Sequence, residues 1–335
     1  MKKVLTIGIA AHNEEKNIRR VLSGVLGNAI EISVDGLLVE VVIAANGCTD
    51  STERIVEEFA SENRLPFRRT AMGVQSLVPE PERHPVSVSL ISIPEKSKTA
   101  AWNAIYDHSL GGMICFFDAD IILHRGVVRR LYKTLLDAPG VFAVSCNIQP
   151  HKDSKSGLVW TYQYLREKMS RSFPITKISG PGYILRKTPD FRIEIPGHLL
   201  HQDAFLYTYI ATTDVTPFNK GLEKIRWQGK AVIYHAPIRN LRQFYSNKVR
   251  SHYSVLQLRA LFGEKYDQVQ KKLNSQRGRK RDRLRLLRWR DRFLYYFLKK
   301  VYPGPLVSLL KRIAFRKAEK LFNGLGGQDI WPTGR

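Results

Sequence analysis

Cysteine is scarce: Cys48, Cys115 and Cys146 are the only three in 335 residues. They are too few and too widely spaced for a disulfide framework or a four-ligand zinc site, and two fall in apolar stretches, so reduced, mostly buried thiols are expected. No apolar run reaches the roughly 18–20 residues that a membrane-spanning helix needs. The apolar segment after Met1-Lys2-Lys3 turns polar at His12-Asn13-Glu14-Glu15, too soon for a secretory leader. A cytoplasmic protein is therefore expected. Acidic residues are also in deficit, 30 against 54 Lys and Arg, a formal net charge of +24. Such an excess points to an anionic partner: nucleic acid, acidic lipid headgroups or a phosphorylated substrate. With 43% hydrophobic residues the chain is long and apolar enough for a sizeable core, which argues against disorder.

The charge is unevenly placed. Residues 239–335 hold 25 of the Lys and Arg but only 6 of the Asp and Glu, so the first two-thirds is nearly balanced. That part alternates. Val4 to Ala11 suits a strand, a polar loop follows, and Ile18, Val21, Leu22, Val25 and Leu26 give a helical period. Leu37 to Ala45 is a second buried strand closed by Asn46-Gly47, with Thr49-Asp50-Ser51-Thr52 as helix-start residues before Ile55, Val56 and Phe59. Beyond the proline-rich stretch from Pro79 to Pro85 come a strand over Val86 to Ile93, a helix over Ala100 to Tyr106, and the run Met113 to Phe117, which stops at Asp118. Strands alternating with helices predict an α/β fold with a mostly parallel sheet and helices on both faces. Ligands of such sheets lie beyond the carboxyl ends of the strands, where each polar loop falls. Farther on, Val141 to Ile148 reads as a strand and Val159 to Met169 as a helix with Trp160, Tyr164 and Met169 on its surface. After the break Gly180-Pro181-Gly182, Tyr183-Ile184-Leu185 reads as an edge strand.

Asp118-Ala119-Asp120 is the sharpest chemical signal. Two carboxylates one residue apart at a strand end repel unless a cation lies between them, and hard oxygen ligands suit Mg2+ or Mn2+ bridging the phosphates of a nucleotide. A solvated turn would carry the same residues. The company they keep resembles the large family 2 of inverting glycosyltransferases with the GT-A fold. The matching pieces come in family order: His12-Asn13-Glu14-Glu15-Lys16-Asn17-Ile18, then Asn46-Gly47-Cys48-Thr49-Asp50-Ser51-Thr52, then Lys98 with Asn103, then Asp118-Ala119-Asp120. The likeness is good over residues 4 to 125 and thins to scattered matches as far as about 255.

The resemblance implies that Ala11, Glu14 and Asn46 line the nucleotide pocket, with Asn13, Asp50, Lys98 and Asn103 joining the donor site. Asp118 would address the ribose and Asp120 the diphosphate-bound metal. Many relatives are acidic where Ala45 or Asn46 stands. By the same resemblance Asp203, in His201-Gln202-Asp203, is the catalytic base, although it could equally cap the helix over Ala204 to Ile210. His235 is a further candidate metal ligand, Gly180 and Gly182 belong to an acceptor-side loop, and Arg239, Arg242, Lys248 and Arg250 would clamp the departing diphosphate. The tryptophan signature of processive synthases is replaced by Leu241-Arg242-Gln243, which implies transfer of one sugar at a time. The implied donor is a nucleotide sugar, a UDP-sugar foremost, and the acceptor a glycan or lipid-linked molecule.

The division expected is a GT-A catalytic domain over 1–238, with a nucleotide-sugar half to 125 and an acceptor half from 126, followed by a basic amphipathic helical extension over 239–335. In that extension Arg283, Arg285, Arg288, Arg290 and Arg292 alternate with Leu284, Leu286, Leu287, Trp289, Phe293, Leu294 and Phe297. A second helix past Pro303-Gly304-Pro305 mixes Leu306, Leu309, Leu310, Ile313 and Phe315 with Lys311, Arg312, Arg316 and Lys317. Such a pair suits an anionic membrane surface, the inner face of the cell membrane, or else packs its apolar stripe on the core. A nucleic-acid-binding or scaffold protein acting through the Arg-rich tail is the alternative, in which the paired aspartates would have no role.

Overall fold

The apolar runs at the start of the chain form strands because both of their faces are covered. The computed structural model describes residues 3–71, 84–151, 157–171, 176–214, 217–276 and 288–324. Strand β1 is Val4–Ala11 and β2 is Leu38–Asn46, the latter buried at all nine positions, as expected of a central parallel strand. Between them α1 (Ile18–Ser33) buries Ile18, Val21, Leu22, Val25, Ala29 and Ile32, a stripe at three- and four-residue steps that faces the sheet. The series continues with α2 (Thr52–Glu62), β3 (Phe67–Ala71), β4 (Val86–Ile93), α3 (Lys98–His108) and β5 (Met113–Asp118). These five strands lie parallel in the order β3-β4-β2-β1-β5. Their registers pair Ala10 with Asp118, Ala11 with Ala45 and Asn46 with Ile93, so the loops after β1, β2, β4 and β5 open along one edge. Strand β3 carries no strong apolar signal. It is an edge strand held through Arg69, which pairs with Glu53 and Glu57 of α2.

The second half adds β6 (Ile122–Leu123), α4 (Val127–Leu136), β7 (Ala143–Pro150), α5 (Leu158–Arg171), β8 (Gly182–Arg186), α6 (Gln202–Thr212), a 3-10 turn (Gly221–Lys224) and β9 (Ile225–His235). Among the described residues the sheet reaches nine strands, continuing β5-β8-β7-β9-β6. Strand β8, expected at an edge, is interior and antiparallel to both β5 and β7. The Gly-Pro-Gly break suggests a margin, but Gly182 serves close packing: a Cβ there would stand 2.6 Å from Ile233 Cδ1 and 3.1 Å from Cys146 Sγ. Helix α5 also departs from expectation, since Trp160 and Met169 are buried. The cysteines are unpaired, with Cys115 and Cys146 buried and Cys48 partly so.

Apolar layers cover both faces of the sheet, one built on Ile7, Ile9, Leu22 and Val41, the other on Val42, Ile91, Trp102, Ile105 and Phe116. The basic extension is helical: α7 (Leu241–Phe262), α8 (Glu264–Ser275), α9 (Trp289–Lys300) and α10 (Gly304–Gly324). Leu258, Tyr266, Val269 and Leu273 enter the second layer. Helices α9 and α10 meet α5 and α7 in a separate cluster of Tyr162, Leu165, Met169, Phe244, Tyr295, Leu298 and Val307. Much of the extension is thus packed on the rest of the chain. Arg283, Arg285, Leu284, Leu286 and Leu287 lie outside the described residues.

Candidate active site

The first two polar loops are tied together before they offer anything to a ligand. Asn13, in the left-handed region at φ 54°, accepts from the Thr49 amide at 2.8 Å. The Asp50 carboxylate accepts from the amides of Glu15 and Thr52, both at 3.0 Å, and from the Thr52 hydroxyl at 2.6 Å. Thr52 Oγ1 in turn accepts from the Glu14 amide at 2.7 Å. Asn13 and Asp50 therefore shape the rim. Asn46 is buried and donates its amide to the Ala11 carbonyl at 2.7 Å. The Ala11 methyl is fully buried in the apolar layer, which leaves only main chain of that residue for the edge. Glu14 is a second acid of this rim. Burial raises its pKa, the Asn17 amide opposes that, and Asp120, Asp118 and Asp50 push it higher.

Strand β5 delivers Asp118 to the same edge, and α3 delivers Lys98. Ser97 caps that helix by accepting from the Ala100 amide at 3.1 Å, which fixes where Lys98 starts. Lys98 Nζ lies 2.6 Å from Asp118 Oδ1, with the side chains 48% and 22% exposed. Burial raises the Asp118 carboxyl, and Lys98 offsets part of this. Burial alone would lower the Lys98 ammonium, but Asp118, Asp203 and Asp120 outweigh it and hold the pKa above the usual lysine range. The cleft beside this pair is lined by Ala10, Lys98, Asp118, Gly180, Gln202 and Asp203 over Trp102, Phe116, Phe117 and Tyr183. Asp203, in the first turn of α6, accepts from the Gly180 amide at 3.2 Å and from the Ala204 amide at 2.9 Å. Gly180 is open to the cleft, and a Cβ there would rest 3.6 Å from the Asp203 carboxyl. Asp118, Lys98, Gly180 and Asp203, from four separate segments, thus share one wall.

The aromatic floor was not anticipated. Trp102 stacks on Phe116 at 4.8 Å and Phe116 on Tyr183 at 5.3 Å. Trp102 Nε1 donates to the Tyr183 hydroxyl at 2.6 Å. One sequence signal existed: Trp102 follows Lys98 by four residues and shares its helix face. Gln202, also in the lining, could have been found from its place beside Asp203.

Several expected residues are placed elsewhere, among them Lys248, which lies over the Phe244 ring of α7 at 5.7 Å and outside the cleft lining. Asn103 donates to the Ile195 carbonyl at 2.9 Å and accepts from the Ile195 amide at 3.0 Å, so its side chain anchors the segment leading to α6. His235 Nε2 faces Glu167 Oε2 of α5 at 2.8 Å. Arg239 and Arg242 stand at the start of α7, exposed and apart from the cleft lining. Among the described residues no three His, Cys, Asp or Glu side chains form a ready metal cage. The donor set still fits Mg2+ or Mn2+ through Asp118 and Asp120, because such ions are held by one or two carboxylates together with substrate phosphates.

The sequence pattern of glycosyl transferase family 2 matches residues 6–193, more than half of the chain. The chain belongs to that family. It is a glycosyltransferase of GT-A fold, and the matched span includes Asp118 and Asp120 but ends before Asp203. Among solved structures it is similar to the mannosyltransferase PcManGT from Pyrobaculum calidifontis, in complex with GDP-Man and Mn2+. The identity is 17%, the TM-score 0.52, and the match covers 97% of this chain and 80% of that one. It is equally similar in fold to S. aureus TarS 1-349 in complex with UDP-GlcNAc, at 14% identity and TM-score 0.52, over 97% of this chain and 92% of that one. No protein of curated function matches the chain in sequence.

Proposed function

We propose that this family 2 member is a metal-dependent inverting glycosyltransferase that moves a single sugar from a nucleotide sugar, a UDP-sugar foremost, to a glycan or lipid-linked acceptor. The observation that carries the reading is Asp203 standing in one cleft with Asp118 and Lys98, its carboxylate oriented by the Gly180 amide. Asp203 takes the proton of the acceptor hydroxyl as that oxygen attacks the anomeric carbon and the bond from that carbon to the diphosphate breaks. Asp118 and Asp120 hold Mg2+ or Mn2+, which when bound neutralises charge on the departing diphosphate. Lys98 lends a cation beside Asp118, and the Trp102–Tyr183 floor keeps water from beneath the sugar. Support for the donor class comes from the two fold neighbours, bound to GDP-Man with Mn2+ and to UDP-GlcNAc. In this reading 1–238 is the catalytic unit and 239–335 its extension.

The test is calorimetric titration with UDP-, GDP- and dTDP-sugars in the presence of Mn2+, repeated on D118A/D120A. Metal-dependent binding of one donor that vanishes in the variant is the expected result. No binding to any donor by the folded wild type would overturn the reading.

Catalysis at the inner face of the cell membrane is part of the proposal. Among the described residues no helix is long and apolar enough to cross a membrane. On α9, however, Trp289, Phe293 and Phe297 follow one another at four-residue steps and are 73%, 73% and 51% exposed. Leu309 and Ile313 extend an exposed apolar surface on α10. Arg288, Arg290, Lys299, Lys300, Arg312 and Arg316 are exposed around it, the combination of an interfacial helix on anionic lipid.

A further inference from the structure

Two polar groups in the cleft lining are left unspent by the fold. Gln202, the residue before Asp203, is only 8% exposed and stands in the cleft wall. Its side-chain amide has no hydrogen-bond partner among the described residues and opens onto the cleft. Two other amides that hold the same segment are fully used. Asn103 spends both ends of its amide on Ile195. Gln257 of α7 donates to the His198 carbonyl at 2.8 Å and accepts from the Leu200 amide at 3.3 Å, and Leu200 packs against Val249 and Tyr253 of that helix. The loop entering α6 is thereby fixed without any help from the Gln202 side chain. A nearly buried amide is ordinarily paired within its own chain, so one that is held in place and unpaired is free to meet a ligand.

Tyr183 is the second such group. Its hydroxyl oxygen accepts from Trp102 Nε1 at 2.6 Å, which leaves the hydroxyl hydrogen to donate. Among the described residues that hydrogen has no recipient. Burial holds the phenol well above its ordinary range, the Trp102 N–H opposes this, and Asp118 and Asp203 push it higher, so the hydrogen stays on the oxygen. Stacking on Phe116 at 5.3 Å fixes the ring. Tyr183 therefore offers one donor in a set place on the cleft floor.

In the transfer proposed above, the diphosphate is held at Asp118 and Asp120 and the attacking oxygen at Asp203. The anomeric carbon lies between them, so the transferred sugar spans the cleft over Tyr183 and beside Gln202. A sugar ring has apolar C–H faces and a polar rim. The aromatic floor suits the first, and a few fixed donors and acceptors suit the second.

We propose that the Gln202 amide and the Tyr183 hydroxyl are the specificity contacts for the transferred sugar, hydrogen-bonding its ring hydroxyl or acetamido groups. The assignment rests on the transferase reading above. The full chain is titrated calorimetrically, with Mn2+ present, with UDP, UDP-glucose, UDP-galactose, UDP-GlcNAc and UDP-GalNAc, and with GDP, GDP-glucose and GDP-mannose, beside Q202M and Y183F. Within one nucleotide series these sugars differ only at C2 and C4. Wild type separates the best from the worst sugar of one series by ~10-fold or more, the worth of a hydrogen bond whose partner is left unpaired. Q202M and Y183F each narrow that spread to about threefold, while the free nucleoside diphosphate binds all three proteins within a factor of about three. A spread that survives in either variant, or is absent from a wild type that binds the nucleotides, overturns the assignment and leaves the transferase reading standing. A wild type that binds none of these nucleotides brings down that reading and the assignment with it. Q202A, which removes the amide without adding bulk, gives the same readout where Q202M does not fold.

Discussion

The acidic cleft and the basic cluster solve opposite versions of one problem. Each holds like charges in a half-buried setting where self-repulsion is strong. In the cleft the chain supplies its own counter-ion, Lys98, 2.6 Å from Asp118, and the carboxylates emerge at a strand edge where the sheet geometry fixes them. The basic cluster, Lys248, Lys311 and Arg166, is drawn from three helices, α7, α10 and α5, and Glu167 offsets part of the repulsion felt by Lys248. The difference teaches that charges placed by sheet topology are fixed by strand register, whereas charges placed by helix docking depend on how the helices pack.

The largest test of that contrast is Asp203→Asn. Losing a positioned base lowers transfer by ~10^2–10^4-fold, while donor affinity measured by calorimetry stays within a factor of about three. An equal fall in both would make Asp203 a structural cap of α6. Next comes W289A/F293A/F297A, which removes three exposed aromatics and spares the buried Tyr295 and Leu298. Cosedimentation with anionic vesicles should fall by ~10^2-fold with unchanged thermal stability; undiminished binding would remove the membrane from the scheme. Tyr183→Phe strips the buried Trp102 N–H of its acceptor and costs about 1–3 kcal/mol in urea unfolding. A smaller cost would mean that stacking alone holds the floor.

The smallest expected effect is Lys248→Met, and its sign is opposite. The folded pKa of Lys248 is about 8 against the usual 10.5, so between these values the unfolded chain binds the extra proton. Stability therefore rises as pH climbs from 8 toward 10.5, and the protonated lysine disfavours folding below 8. The methionine variant should be more stable at pH 7 by about 1 kcal/mol after allowance for solvent screening. It should also lack the alkaline rise in urea midpoint. A variant less stable than wild type at pH 7 would show Lys248 to be compensated within the chain.

Legibility in the sequence followed the range of the interactions. Strands β1, β2, β4 and β5 were readable because burial on both faces writes a continuous apolar run, and their polar ends marked the ligand edge. Asp118 and Asp120 were readable as neighbours. Asp203 was reached through family resemblance, since nothing local ties it to Gly180 or Lys98. Strand β8 was misplaced because Gly180-Pro181-Gly182 carries the local signature of a break, while the contact of Gly182 with Ile233 is long-range. The pairing of Asn103 with Ile195, of His235 with Glu167, and of Lys248 with Lys311 depends on docking that no periodicity records. Polar residues of that kind declare their type and conceal their partner.

The grip of Gln257 on His198 and Leu200 bears on how separable the two ends of the chain are. A polypeptide shortened at residue 238 would keep every strand and both aspartates of the first motif, yet the approach to Asp203 would lose its splint. The donor half could still recognise a nucleotide sugar while Asp203, the proposed proton acceptor, drifted out of alignment. In modular terms the extension is less a passenger than the second jaw of a vice.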